Sequence, residues 1–431
     1  METNLSDTTR KKIMIAIALG SLLELYDFTI FTYFMSFLMP VFFPHAAKET
    51  AFIYMMLIYS ANFFIRPLSS FFWGYWGDRK GRIPTLIVSI TIMAITTFIL
   101  GVLPSANTIG IAAPILLVIV RMIQGISFGG EFPGAMCFAL EYAPQERRGL
   151  YVSWIYAMGT IGLLLGTILL GFLLINYSME QVQAWGWRIP FILGIILTVV
   201  AVYLRKQIPH SLMFLRAKHE SKLLRNPVSH ALKNNLKQII HGFFLTCGPA
   251  AMIGVDFMYI SLFVIKFLHY PIEYSFYLNF FICLLFAVFI PVMGYVSDRM
   301  GRKYILWWGL VAQLFLSYPL YHSIEQGHVV YTGIVLFFFG IFGACILGGA
   351  GVALAEMFPT NVRYTGVAIC FNFAYGIFTG MIPMSTILWT NHFGYLPPLG
   401  LYLIICMLIS ILALWRLKET YQKPLELGST E

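Results

Sequence analysis

Gly74 to Leu86 reads GYWGDRKGRIPTL, and Gly294 to Leu306 reads GYVSDRMGRKYIL; seven of the 13 positions are identical at an offset of 220, about half of the 431-residue chain. A match at that spacing marks a duplicated structural unit. A second set agrees with it, because Glu141, Pro144 and Arg148 recur as Glu356, Pro359 and Arg363 at an offset of 215. Each copy of the quoted stretch is a short charged turn flanked by long apolar runs. Working outward from both turns assigns six such runs to each half.

The composition says what solvent those runs meet. Hydrophobic residues make up 59% of the chain, aromatic ones 16% and charged ones 11%, with a mean hydropathy of +0.79. No soluble globular enzyme has that balance. Twelve stretches, each long enough to cross a bilayer, begin near residues 13, 50, 83, 111, 149, 186, 236, 273, 303, 329, 364 and 396. They exceed strand length and lack the alternation of an outer-membrane barrel. The expected fold is therefore an all-α membrane protein with twelve transmembrane helices in two pseudo-symmetric six-helix halves. Residues 1–204 form the N-terminal half, 205–235 a linker, and 236–431 the C-terminal half with a short tail.

The 28 Lys and Arg against 19 Asp and Glu give a net charge of +9. On the span map two cations fall inside helices (Arg66, Arg121), three lie on the side away from the N-terminus (Lys48, Arg188, Lys266), and twenty-three lie on the N-terminal side. Positive charge stays cytoplasmic, so both termini are expected inside, in a multi-pass protein of the cell inner (cytoplasmic) membrane. The basic balance then needs no nucleic acid. The first apolar run carries Glu24 and Asp27 and is too long for a cleaved leader, so it reads as a retained helix. The linker, with seven Lys or Arg against one Glu, reads as a solvated segment touching the lipid bilayer's anionic head groups. The six cysteines show no CxxC or Cys/His spacing, so no metal or cofactor is expected, and no nucleophile–base pair suggests an enzyme.

Two six-helix halves with a G-x-x-x-D-R-x-G-R element between their second and third helices resemble the major facilitator superfamily. Finer matches are FIRPLSSFFWGYWGDRKGR (Phe64 to Arg82), RMIQGISFGGEFPGA (Arg121 to Ala135), WGWRIPF (Trp185 to Phe191) and AEMFPTNVRYTG (Ala355 to Gly366). Together they are similar to the bacterial metabolite:proton symporter family, whose members import citrate, 2-oxoglutarate, shikimate, proline or glycine betaine. The resemblance implies a proton-coupled symporter, most simply a functional monomer, importing a small organic acid or zwitterion by alternating access on the proton gradient. The same fold also serves proton-driven exporters of drugs or siderophores, so direction stays open here. The short tail lacks the long extension of the osmosensing members, and osmotic sensing is not expected.

Six ionisable residues lie within the apolar runs: Glu24, Asp27, Arg66, Arg121, Glu131 and Asp256. Each costs at least ~2.5 kcal/mol in lipid, which makes each a functional candidate. Asp27 and Arg121 both approach mid-bilayer depth, and a carboxylate beside an arginine can exchange that partner for a proton. In the similar proton-coupled sugar porters an acid of the first helix and an arginine of the fourth play this part. Asp27 is thus the expected proton carrier, with Glu24 and Glu131 as further protonatable groups. Arg66 and Arg121 are candidate anchors for a substrate carboxylate, Asp256 for a cationic group, and Tyr26, Trp154 and Tyr259 for a quaternary ammonium. For every one of these the bland alternative is a fixed ion pair or a packing contact.

The repeated charges read differently. In the superfamily the aspartate matching Asp78 faces the positive end of a helix in the other half and closes the cytoplasmic side. The resemblance implies a gate of Asp78, Arg79, Gly81, Arg82, Glu141 and Arg148, repeated by Asp298, Arg302, Glu356 and Arg363.

Overall fold

The computed structural model describes residues 7–266, 268–393 and 398–429. The N-terminal six helices are α1 (Asp7–Phe42), α2 (Lys48–Lys80), α3 (Arg82–Val102), α4 (Ala112–Tyr142), α5 (Arg148–Asn176) and α6 (Arg188–Lys206). In the second set, α7 runs as Leu236–Met252, passes through the π-helical Ile253–Tyr259 and ends as Ile260–Lys266. It is followed by α8 (Ile272–Met300), α9 (Arg302–Glu325) and α10 (Val329–Glu356). The last two are α11, which runs as Arg363–Ala374 through the π-helical Tyr375–Thr379 to Ile382–Phe393, and α12 (Leu399–Arg416). α6 therefore continues two residues past the expected boundary at 204.

Among the described residues, 11 helices are long and apolar enough to cross a membrane. The twelfth, α9, has the length, 24 residues, but is diluted by Gln313 and Ser317, which it buries against its neighbours. The apolar side chains that do face outward, such as Leu68, Ile196, Phe315 and Leu412, suit a hydrocarbon solvent.

The repeated turn explains itself in backbone terms. Gly81 at φ +103° and Gly301 at φ +98° turn the chain from α2 into α3 and from α8 into α9. A Cβ is strained in that region, so both copies keep glycine. The halves meet where α5 packs on α8 and α2 on α11. Small residues let these backbones approach: a Cβ on Gly149 would lie 2.5 Å from the Gly294 carbonyl oxygen, and one on Gly77 would lie 2.2 Å from the Tyr364 ring.

The linker holds two short helices, Leu212–His219 and Pro227–Asn234, whose first turns are capped by Ser211 and Asn226. On its solvent side the Arg216 hydrogen bond to Glu220, 2.8 Å long, holds that carboxyl below its ordinary range.

Candidate functional site

Asp27 sits on α1 at the centre of a four-residue polar network. Thr97 Oγ1 of α3 donates to its Oδ1 at 2.6 Å, Gln124 Nε2 of α4 to the same oxygen at 3.0 Å, and Arg121 Nη1 to Oδ2 at 3.1 Å. Arg121 also donates to Gln124 Oε1 at 2.9 Å, and its guanidinium lies 3.9 Å from the centroid of the Phe31 ring. Asn62 of α2 braces the Arg121 carbonyl at 2.9 Å. Asp27 and Arg121 are both buried, and the three donors on the carboxylate offset part of the cost of that burial.

Beside Glu24, three residues before Asp27 on α1, Arg66 of α2 is held loosely. Its Nη1 stands 3.7 Å from Glu24 Oε1, beyond hydrogen-bond length, while its Nε and Nη2 and the Glu24 Oε2 have no hydrogen-bond partner. Three phenylalanines, Phe28, Phe63 and Phe128, ring the guanidinium with centroids 4.6–5.0 Å away. Both arginines keep buried Nε and Nη2 donors without a hydrogen-bond partner, but Arg121 is bonded through Nη1 to Asp27 and Gln124, whereas Arg66 stands 3.7 Å from its acid.

Glu131 is placed otherwise than its reading as a protonatable carrier implies. Arg205, from the last turn of α6, grips both its oxygens, and Ser89 Oγ adds 2.9 Å to Oε2. Arg205 spends its other bonds on the carbonyls of Ala16, Ile17 and Leu86. The result is a saturated clamp joining α1, α3, α4 and α6. Arg205, counted from sequence among the cytoplasmic cations, is fully buried.

Asp256 lies in the π-helical stretch of α7 and accepts a short hydrogen bond from the Tyr321 hydroxyl of α9, leaving Oδ2 without one. It is absent from the Asp27 network. Its setting mirrors that of Asp27: an acid of the half's first helix bonded by a hydroxyl of its third. Tyr26 donates to the Pro190 carbonyl at 2.7 Å and ties α1 to α6, and Trp154 is 42% exposed at the outer surface of α5. The Tyr26 hydroxyl is thus spent on the backbone, although the residue stays in electrostatic reach of Asp27. Tyr259 is buried in α7.

An even number of crossings puts both chain ends on one face, here termed the terminal face. There the halves are locked by two copies of one contact. Asp78 accepts from the backbone N–H of Tyr364 at 3.1 Å and Thr365 at 2.9 Å, the first turn of α11. Asp298 accepts from Gly149 at 2.7 Å and Leu150 at 2.8 Å, the first turn of α5. Each carboxylate thus satisfies orphan amides at a helix N-terminus in the other half. Arg82 pairs with Asp78 at 3.2 Å and with Glu141 at 2.8 Å, and Glu141 Oε1 also receives Arg363 of the other half at 2.9 Å. The mirror set is Arg302 with Asp298 at 2.7 Å and Glu356 at 3.2 Å, and Arg148 looser at 3.8 Å from Glu356. Arg79 is exposed and touches Tyr75, outside this lock.

The tail, read from sequence only as short, lies across the lock. Glu419 accepts from the first amides of α9, those of Arg302 at 3.2 Å and Lys303 at 3.0 Å. Beyond it the backbone carbonyls of Gln422 and Lys423 take bonds from Gln145 and Arg148, each at 2.6 Å, and those of Glu426 and Leu427 from the amides of Thr360 and Asn361. The linker joins in through Ser211, which donates 2.5 Å to Glu141.

On the opposite face a cavity of about 940 Å³ lies between the halves, its lining including Thr32 and Tyr33 of α1, Thr167 of α5, Gln183, His269 and Ser275 of α8. Thr32 stands five residues beyond Asp27. One side is locked while a largely apolar vestibule with a few polar groups approaches the charged centre from the other.

A mirrored helical body that buries ion pairs at mid-depth and is locked across its halves on one face is built as an alternating-access membrane transporter. The chain belongs to the major facilitator superfamily. That family's model, described as "Major Facilitator Superfamily", matches residues 28–321, and one described as "Sugar (and other) transporter" matches 227–431. The proline/betaine transporter of Escherichia coli K12 is 31% identical over 99% of this chain and 87% of that protein. The glycine betaine/proline/ectoine/pipecolic acid transporter OusA of Dickeya dadantii is 32% identical over the same shares. Among solved structures, the proton:xylose symporter XylE bound to 6-bromo-6-deoxy-D-glucose superposes with a TM-score of 0.81 at 18% identity, covering 98% of both chains, and so shares the fold.

Proposed function

We propose that this chain is a proton-coupled importer of small zwitterions or organic acids, of the proline and glycine betaine class that its relatives' names describe. It works as a monomer in the bacterial cytoplasmic membrane, with the locked terminal face inside the cell. The observation that carries the reading is the make-up of the Asp27 network. Thr97 and Gln124 can each donate or accept, so they suit Asp27 with or without a proton, whereas Arg121 can only donate. A proton arriving through the outer vestibule therefore releases one partner, Arg121, and leaves the others bonded. The freed guanidinium and the loosely held Arg66 then offer donors to a substrate carboxylate, and the neutralised centre lets the halves rock.

Proteoliposomes loaded with pH gradients of either sign test this with labelled proline and glycine betaine. The expected result is uphill uptake driven by an outside-acid gradient. Asp27→Asn abolishes that accumulation while exchange of internal for external substrate persists. Full accumulation by the variant refutes the proton assignment, and efflux driven by the same gradient supports the exporter instead.

A further inference from the structure

Four buried rings form a column through the plane where the halves meet. Tyr156 of α5 meets Phe132 of α4 edge-on at 4.9 Å, Phe132 stacks on Phe371 of α11 at 5.3 Å and 12°, and Phe371 stacks on Tyr375 at 4.0 Å. All four are at most 3% exposed. Such columns often do no more than fill a core. This one differs in two respects. It is shared between bodies that must part during transport, so the Phe132–Phe371 faces separate in every cycle. It also adjoins the loosely held charges: the Phe132 backbone amide is turned to Glu24, and Tyr375, whose hydroxyl has no hydrogen-bond partner, lies in electrostatic reach of Arg66 and Glu24.

The chemistry of the neighbourhood is complementary to a zwitterion. Arg66 has two unused donors for a carboxylate. A fully substituted ammonium has no N–H to donate, so it is held by ring faces and by a nearby negative charge. We infer that the Phe132, Tyr156, Phe371 and Tyr375 column, with Glu24 beside it, is the surface that recognises the cationic nitrogen of the substrate while Arg66 holds its carboxylate. This rests on the zwitterion reading above. In this assignment the column takes the place of Tyr26, whose hydroxyl is spent on the Pro190 carbonyl, and of Trp154, which is exposed on α5, as the aromatic contribution to the site.

The test compares glycine betaine with 3,3-dimethylbutanoate, which has the same shape and carboxylate but carbon in place of the charged nitrogen. Calorimetric titration of the purified full chain should give at least tenfold tighter binding of glycine betaine. Phe371→Leu should narrow that ratio to within about twofold while the affinity for 3,3-dimethylbutanoate holds. Equal affinity of the unaltered protein for both ligands overturns the column assignment alone and needs no variant to fold. Equal weakening of both by Phe371→Leu also overturns it, marking the ring as packing. If neither glycine betaine nor proline binds, the substrate reading falls and takes the column with it.

Discussion

Glu141→Gln is the substitution that most directly tests how the terminal face is held shut. At Oε1 of Glu141, Arg82 of the N-terminal half and Arg363 of the C-terminal half share an acceptor, at 2.8 and 2.9 Å. Charge-assisted hydrogen bonds contribute about 1.5–3 kcal/mol each, and the amide keeps one oxygen as a weaker acceptor. A net loss of about 2 kcal/mol from the locked state is a fair expectation, which is about a 30-fold shift toward opening on that face. Cys137, one helical turn before Glu141 on α4, is fully buried behind the lock, and the other five cysteines are buried as well. Thiol labelling with mass-spectrometric readout therefore has a built-in reporter with a low background. The variant should label Cys137 at least tenfold faster than the parent. An unchanged rate at Cys137, in a variant that remains folded, would refute the idea that this shared oxygen holds the halves together.

Arg205→Met alone should destabilise the protein by about 3–5 kcal/mol through the uncompensated Glu131 it leaves, seen as a lower melting temperature; Glu131→Leu with Arg205→Met should recover most of the loss and keep proton-driven uptake. Loss of coupling in a stable double variant would return Glu131 to the proton path. Gly81→Ala and Gly301→Ala should each cost about 1–3 kcal/mol because of their positive φ, whereas Gly333→Ala, where a Cβ meets nothing within 4 Å, should leave thermal stability unchanged. Asp78→Asn and Asp298→Asn should both raise Cys137 labelling, since each weakens a contact at a helix N-terminus by about 0.3–2 kcal/mol; an effect from only one would break the mirror logic of the lock.

Much of this architecture is legible in the sequence because it is repeated or periodic. The glycine at the turn inside each quoted motif, and the acids and arginines that recur at offsets of 215 and 220, announced a lock between two like halves. The mid-membrane charges were legible one by one, through their cost in lipid. Their pairings were not. Asp27 with Arg121 followed from depth along two helices, but Glu131 with Arg205 needed knowledge that α6 brings its last turn back against α1 and α4. Asp256 with Tyr321 depends likewise on how the fold brings two side chains of α7 and α9 together, and nothing local marks it. Aromatic residues were the least legible: in a chain with 38 Phe, 24 Tyr and 9 Trp, type says little and only placement separates Phe371 and Tyr375 from Trp154.

The strap formed by Gln422 to Ser429 is held almost wholly through its own backbone carbonyls, with Gln145, Arg148, Thr360 and Asn361 supplying the donors. A carbonyl is the same whichever side chain stands beside it. Scanning the strap with alanine should therefore look permissive everywhere except Gly428, whose φ of +95° and 2.1 Å Cβ approach to Asn361 Oδ1 exclude a side chain, while removing the strap, or inserting a residue that shifts its register, should not be tolerated. In mutational terms the segment is tolerant of spelling and intolerant of length, and a substitution survey alone would class as dispensable a piece of chain that spans both halves.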